Sequence, residues 1–499
     1  MGVYLWAIVI YLAFLVAVSM SKARGVKTQE DFMVAGRGVT AIVLVGTLVC
    51  TWIGSGSLFG GAGRAYRNGF SALWMSAGAW VGLAIVFWLA PRVRKIAQFT
   101  VPDILETRYN AQARVLGTVA IVIAYLTIAG YQFIGGGRLV SILTDGQVSP
   151  ETGQFIVAGL VILYTIVAGM ASIVALDIFN GILITGGVLL AVPFALKSAG
   201  GWETVTTTLP ETHFSLFGTF GAASAIGLFL PTFLLLLGES GMYQKFMSAK
   251  DGATARRAVI GMIIGVIVVE VVLNAVAIFG AGITWGDPAF QADGGGIDRA
   301  ASETIILTIG ASSHLPTFVG MVLLIGAAAI IFSTANTFLM VPSTNLARDI
   351  YQRFINPNAS EQGVILFQRI MIVVLAGVAL LLTTQFQDIL SMSLYAYTMI
   401  GAAVTPILLA AFLWKRATPT GGMASAAVGI LSTIIFAIWV NNGGTIDLGI
   451  LQITQDNAYD YIIYPAFTLS VLTLVVVSLL GAPPDESKWK PFEADANEA

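Results

Sequence analysis

Between Tyr4 and Leu480 the chain is built of about thirteen apolar runs, most of them near the roughly 20 residues that a helix needs to cross a bilayer core. They fall near 4–20, 41–66, 70–90, 116–143, 153–170, 172–196, 221–244, 258–282, 316–346, 366–385, 389–413, 421–440 and 460–480. Such a chain has few choices. Inside hydrocarbon every backbone N–H and C=O must be satisfied within its own segment, so each run is expected to be a helix. The runs near 41–66 and 316–346 are long enough to tilt or break. With 57% hydrophobic and only 10% charged residues, the 499 residues do not read as a few soluble domains. The expectation is an all-α polytopic membrane protein.

Basic residues give the orientation. With the N-terminus outside, 20 of the 25 fall in the inward connections and tail, among them Lys22, Arg24, Lys27, Arg37, Arg114, Lys245, Arg348, Lys415 and Lys490. Only Arg64, Arg67, Arg138, Lys197 and Arg299 fall on the other side. The positive-inside rule then selects an odd helix number and a cytoplasmic C-terminus. The start, Met-Gly-Val-Tyr-Leu-Trp, has no basic residue ahead of its apolar run, so a retained first helix is expected rather than a cleaved signal peptide. Outer stretches 197–220, 283–315 and 441–459 are long enough for short surface helices or a lid, and 482–499 reads as a solvated cytoplasmic tail.

Several chemistries are disfavoured. Cys50 is the sole cysteine, which rules out an intramolecular disulfide, and His213 and His314 leave little for a zinc site. A net charge of −2 with scattered basic residues leaves no footprint for nucleic acid. No Gly-x-x-x-x-Gly-Lys-Ser/Thr phosphate loop occurs, and Gly54, Gly56 and Gly60 miss the dinucleotide register. Neither a catalytic constellation nor an organic cofactor is expected.

Polar groups inside the apolar runs carry the function. Ser333, Asn336 and Thr337 stand at i, i+3 and i+4 and share one helix face, with Thr334 on its shoulder. Such a face offers uncharged oxygens suited to a hard cation that must leave again; equally, small polar residues pack helices together in a bilayer. In Thr51-Trp52-Ile53-Gly54-Ser55-Gly56-Ser57-Leu58-Phe59-Gly60-Gly61-Ala62-Gly63, five glycines in ten residues lower the cost of leaving helical geometry, so a break is expected near Gly54. Pro231 and Gly238-Glu239-Ser240-Gly241 suggest a second interruption five segments later. Paired interruptions are the sequence mark of a transporter's central site, since freed carbonyls coordinate ions and helix ends face substrate. Asp177, Glu239 and Glu270 are intramembrane acids, which mark an ion path, a substrate contact or a charge pair. Trp52, Tyr131, Gln132, Tyr243, Tyr395 and Tyr397 could line a polar cavity or serve only as packing anchors.

These residues resemble the sodium:solute symporter family. Ser333-Thr334 followed by Arg348-Asp349-Ile350-Tyr351 is the most specific match. Glu30 to Arg37, Thr100-Val101-Pro102-Asp103, and Gly169-Met170-Ala171-Ser172 leading to Asp177 match as well. The resemblance implies a LeuT-type fold of two inverted five-helix repeats, here 41–196 and 221–415. Around them would lie a peripheral first helix and loop (1–40), an outer loop (197–220), two peripheral helices (416–481) and the tail. It also implies a main sodium site formed by the side chains of Ser333 and Thr334 and the carbonyls of Cys50, Ile53 and Ile330. Some members bind a second sodium, for which Asp177, Ser333, Asn336 and Thr337 match. Relatives usually carry Thr before that acid and Gln three residues after it, where this chain has Leu176 and Asn180, so one or two ions remain open.

Thr51-Trp52-Ile53-Gly54 is similar to the choline branch, in which a tryptophan holds quaternary ammonium by cation–π attraction. Glu239 stands near where that branch places another aromatic. The expected substrate is therefore a small polar organic solute, amine-bearing or zwitterionic, seated between Trp52, Gln132, Glu239 and Tyr395, with Gly56 and Tyr243 beside it. The expected function is sodium-coupled symport by alternating access in the plasma membrane. A proton-coupled carrier using Asp177 or Glu270 is the alternative, and a membrane receptor or enzyme stands behind both.

Overall fold

In a computed structural model of the protein, residues 2–23, 28–35, 38–96, 99–219, 221–386, 388–449 and 451–493 are described. Arg24, Lys27, Gly36 and Arg37 of the patterns above, the end of the tail, and the side chains of Lys22, Ala171 and Ser172 lie outside the described residues. Among the described residues, twelve helical units are long and apolar enough to cross a membrane. The shorter apolar helix Ala41–Trp52 precedes a unit, Gly56–Ile96, that contains both the rest of the 41–66 run and the whole of the next. Gly56–Ile96 thus holds residues of two of the thirteen runs, and Ala41–Trp52 holds the rest of the first. Apart from a two-residue antiparallel pairing of Ile446–Asp447 with Gln452–Ile453, every element among the described residues is helical.

Gly169 explains how the fifth and sixth runs join. The helix Pro150–Ser198 contains one non-helical residue, Gly169, at φ 59° and ψ −149°. That left-handed value favours glycine, and a Cβ there would meet the Phe32 ring at 2.7 Å. The chain can therefore fold back without an intervening loop.

Thr317–Asn345 is one of the most enclosed helices, with every residue from Gly326 to Asn345 buried. It packs on Pro150–Ser198, Ala111–Leu143 and Ala41–Trp52. A helix apolar on all sides belongs in the middle of a bundle, so the hydroxyls of Ser333 and Thr334 face protein rather than lipid. Lys245 does not lie in an inward connection as its place in the sequence suggests. It is fully buried in the helix Ser240–Ser248 and so carries no information on orientation.

Both ends of the bundle are tied. At one end lies a polar vestibule of about 510 Å³ lined by Arg64, Arg67, Arg299, Asp388, Asp456 and Asp460. Beside it, Glu303 accepts from Arg138 at 2.7 Å and from the backbone N–H groups of Ile389 (3.1 Å) and Leu390 (2.9 Å). It thereby caps the helix Ile389–Ala403 and pins a loop across the bundle. Gly63 permits this approach, since its Cβ would lie 2.8 Å from the Glu303 backbone. Glu303→Ala should leave Arg138 half-buried and unpaired and two helix N–H groups without acceptors. Losing one partner of a buried pair costs about 3–5 kcal/mol, so a clear drop in melting temperature is expected in detergent. Glu303→Gln, which keeps one acceptor, should fall between wild type and Ala.

At the opposite end Arg114 pairs with Asp103, Glu106 and Asp349, the last at 2.9 Å. Thr100 donates to Asp349 at 2.9 Å, and Arg353 pairs with Glu106 at 2.7 Å. This network joins the Thr100 stretch to the Asp349 stretch, two of the motifs matched in the sequence.

Candidate ion and solute site

The two interruptions have matching geometry. Ala41–Trp52 stops at Ile53 (φ −75°, ψ 100°), and the helix resumes through a widened turn at Gly56–Gly61. Gly221–Gly238 stops at Glu239 (φ −70°, ψ 101°) and resumes as Ser240–Ser248. Each break leaves carbonyl groups without helical partners, which survives at this depth only where it lines a cavity.

At the first break those carbonyls meet Thr334. Its Oγ1 donates towards the carbonyls of Ile53 (3.1 Å) and Cys50 (3.3 Å). Ile330 lies one turn earlier on the same helix, so its carbonyl is directed towards the Thr334 turn. Gly54 makes the contact possible, because a Cβ there would lie 2.9 Å from Thr334 Cγ2 and 3.0 Å from Gln132 Nε2. The result is a compact group of uncharged oxygens, the donor chemistry that suits a hard cation.

Asp177 lies beside it. Its Oδ1 accepts from Ser333 at 2.6 Å, and its Oδ2 accepts from the Thr47 hydroxyl and faces Lys245 Nζ at 3.4 Å. Ser333 therefore stands between the Thr334 group and the acid. Asn336 and Thr337 are wholly buried nearby on the same helix; Asn336 meets the Tyr164 hydroxyl, while the Thr337 hydroxyl has no hydrogen-bond partner among the described residues. Tyr11 donates to Asn180 at 2.8 Å, one turn beyond the acid. Neither Thr47 nor Lys245 is among the site residues expected from the sequence; the polar Thr47-x-x-x-Thr51 spacing is a signal for the first.

A narrow cavity lies between the breaks, lined by Thr51, Trp52, Gly54, Tyr131, Glu239, Thr334, Phe338 and Tyr397 among others. Gln132 borders it. Its Oε1 accepts from the Ser55 backbone at 2.9 Å, while its buried Nε2 has no partner among the described residues. Gly56 admits Tyr397, whose hydroxyl lies 2.6 Å from where a Cβ would stand. Glu239 caps the Ser240–Ser248 helix through Gly241 (3.1 Å) and Met242 and accepts from the Tyr125 hydroxyl. Glu270 accepts from the indole N–H groups of Trp52 (3.0 Å) and Trp80 (3.1 Å) and from Ser57 at 3.4 Å. The two acids are thus separately held rather than paired with each other, and neither has an ion-pair partner among the described residues.

Two residues assigned to the solute stand elsewhere. Tyr243 turns its hydroxyl back to the carbonyl of Leu237 at 2.8 Å, which satisfies a group freed by the break. Tyr395 packs with Phe386 and Tyr459, towards the vestibule. Residues two apart on a helix differ by about 200° in direction, so Tyr397 faces the cavity and Tyr395 does not.

Two interrupted helices meeting at a buried cavity, with hydroxyls set against one break, define a membrane transporter of the broken-helix type. The chain belongs to the sodium:solute symporter family, whose pattern matches residues 32–429. It is 27% identical to the high-affinity proline transporter of Bacillus subtilis over 93% of this chain and 95% of that protein. It is 26% identical to a sodium/proline symporter of Staphylococcus aureus over 96% of this chain and 92% of that one. Its fold is similar to that of a Na+-coupled sialic acid symporter solved in a substrate-bound outward-open state, with TM-score 0.76, 16% identity and coverage of 97% and 98% of the two chains. MhsT in complex with L-phenylalanine shares the fold more distantly, at TM-score 0.56 and 12% identity over 89% of this chain and 98% of that one. The protein is accordingly a multi-pass membrane transporter of LeuT type and not an enzyme. It couples solute import to sodium and uses no organic cofactor.

Proposed function

We propose that the solute is a small zwitterion, bound between the two breaks and carried inward across the plasma membrane with sodium. The observation that carries this reading is the pairing of charges around the cavity. Glu239 lines the cavity and Glu270 lies across Trp52 from it, both without an ion-pair partner among the described residues, while the unpartnered Gln132 Nε2 stands 3.0 Å from where a Cβ on the cavity-lining Gly54 would be. An ammonium group suits the first pair, and a carboxylate suits the amide. Trp52, Tyr131 and Tyr397 supply ring faces for the solute's apolar part and for cation–π attraction. The proline transporters among the relatives make L-proline the first solute to try.

Sodium would sit among the carbonyls of Cys50, Ile53 and Ile330 and the hydroxyls of Ser333 and Thr334. There it ties the first broken helix to Thr317–Asn345 and favours the state that accepts solute from the vestibule end, which the basic-residue pattern assigns to the outside. The two inverted repeats, 41–196 and 221–415, would rock about the site. Ion and solute then stabilise the same conformation, so each raises the other's affinity.

The test is uptake of labelled L-proline, glycine betaine, galactose and lactate into proteoliposomes under a sodium, potassium or pH gradient. Sodium-driven uptake of a zwitterion and none of lactate is expected. Sodium-driven uptake of galactose alone would overturn the substrate class, and uptake driven by the pH gradient alone would favour the proton-coupled alternative.

A further inference from the structure

We infer that the ammonium of Lys245 stands where a second sodium would otherwise be needed beside Asp177, so that the protein moves one sodium per solute. This rests on the sodium-coupled reading above and concerns its stoichiometry.

Lys245 is 0% exposed and Asp177 is 1% exposed. Around Nζ stand three oxygens: the Thr47 carbonyl at 2.9 Å, the Thr51 hydroxyl, and Asp177 Oδ2 at 3.4 Å. The Thr51 hydroxyl donates its own hydrogen to the Thr47 carbonyl at 2.8 Å, so it meets Lys245 through a lone pair. Three acceptors match the three N–H donors of an ammonium; a neutral amine would point a lone pair at one of them. A carbonyl, a hydroxyl and a carboxylate are also the oxygens that would surround a sodium ion. Lys245 therefore brings to the acid what a free cation would bring.

The charge count follows. Asp177 and Lys245 balance one to one. A sodium added at Asp177, Ser333, Asn336 and Thr337 would leave this buried cluster with a net positive charge, which low-dielectric surroundings penalise heavily. Yet the Thr337 hydroxyl lacks a partner among the described residues and Asn336 meets only a neutral tyrosine, Tyr164, so the oxygens of a second site are present while its charge is already met. The location of Lys245 adds a mechanical consequence. It belongs to the helix that follows the second break, whereas Asp177 belongs to the helix after the Gly169 kink. The pair thus joins two elements as an ion would, with a cation that never leaves.

Radioactive sodium binding to the detergent-purified protein tests this without requiring transport. Wild type should bind about one sodium per chain, and Lys245→Met, with Asp177 freed, about two. Lys245→Met/Asp177→Asn and Lys245→Arg should each return to about one. If Lys245→Met does not fold, Lys245→Gln replaces it, since its amide can hydrogen-bond to Thr47 without supplying charge. Flux measurements in proteoliposomes should give the same ratios of sodium to solute. Two sodium ions bound by wild type would overturn the inference, as would a folded Lys245→Met or Lys245→Gln that still binds one. No sodium binding by any of the proteins would instead overturn sodium coupling itself.

Discussion

Thr334→Ala is expected to abolish sodium-driven accumulation, and Ser333→Ala to weaken it. A hydrogen bond or ligand contact to a charged group contributes about 1.5–3 kcal/mol, so loss of one hydroxyl lowers sodium affinity about ten- to hundredfold. Thr334 carries the larger effect for a second reason. Its hydroxyl also donates to the carbonyls of Cys50 and Ile53, so the alanine variant leaves both buried acceptors unserved when no ion is bound. Thr334→Ser keeps the oxygen and should recover most of the activity. Ser333→Ala loses one ligand and one donor to Asp177, which retains Thr47 and Lys245. Sodium-dependent thermal stabilisation of the purified variants reads the ion affinity directly. Because ion and solute are coupled, saturating sodium should raise solute affinity by the same factor by which saturating solute raises sodium affinity, in wild type and in each variant. Unchanged sodium stabilisation in Thr334→Ala would remove this residue from the ion site.

What the sequence made legible was local. Hydroxyls inside an apolar helix, glycines crowded around Gly54, and an acid inside a crossing each conflict with their immediate surroundings, and a conflict of that kind can be read from neighbours in the chain. Gly238 and Ser240 bracketed the second break for the same reason. Contacts made across the fold were not legible. Lys245 lies at the C-terminal end of an apolar run and looks like a loop cation, and only tertiary packing brings it against an acid 68 residues earlier in the chain. The choice between Tyr395 and Tyr397 depended on helix rotation, which the nearly uniform hydrophobicity of that run does not reveal. Glu239 was visible as a polar residue at a break, but its service as a helix cap was not.

That double service governs the second large effect, in Glu239→Gln. A carboxylate has about four lone-pair positions. Tyr125, Gly241 and Met242 occupy three, leaving one directed to the cavity for an ammonium group. Glutamine retains a single accepting oxygen and would set an amide N–H2 against either the Met242 N–H or the Tyr125 hydroxyl. The cap is weakened, at a cost of about 0.5–2 kcal/mol, and uptake of every solute should fall with it. The lost charge acts only on amines. A charge-assisted hydrogen bond to the solute is expected to contribute about 1.5–3 kcal/mol, so affinity for L-proline should drop about tenfold to a hundredfold beyond any change for an analogue whose ring nitrogen is replaced by carbon. Comparing competition by the two compounds, in wild type and variant, separates the roles because the structural loss cancels in the ratio. An unchanged ratio would leave Glu239 as the clasp of the broken helix and shift amine recognition to Glu270, whose carboxylate lies across Trp52 from the same cavity.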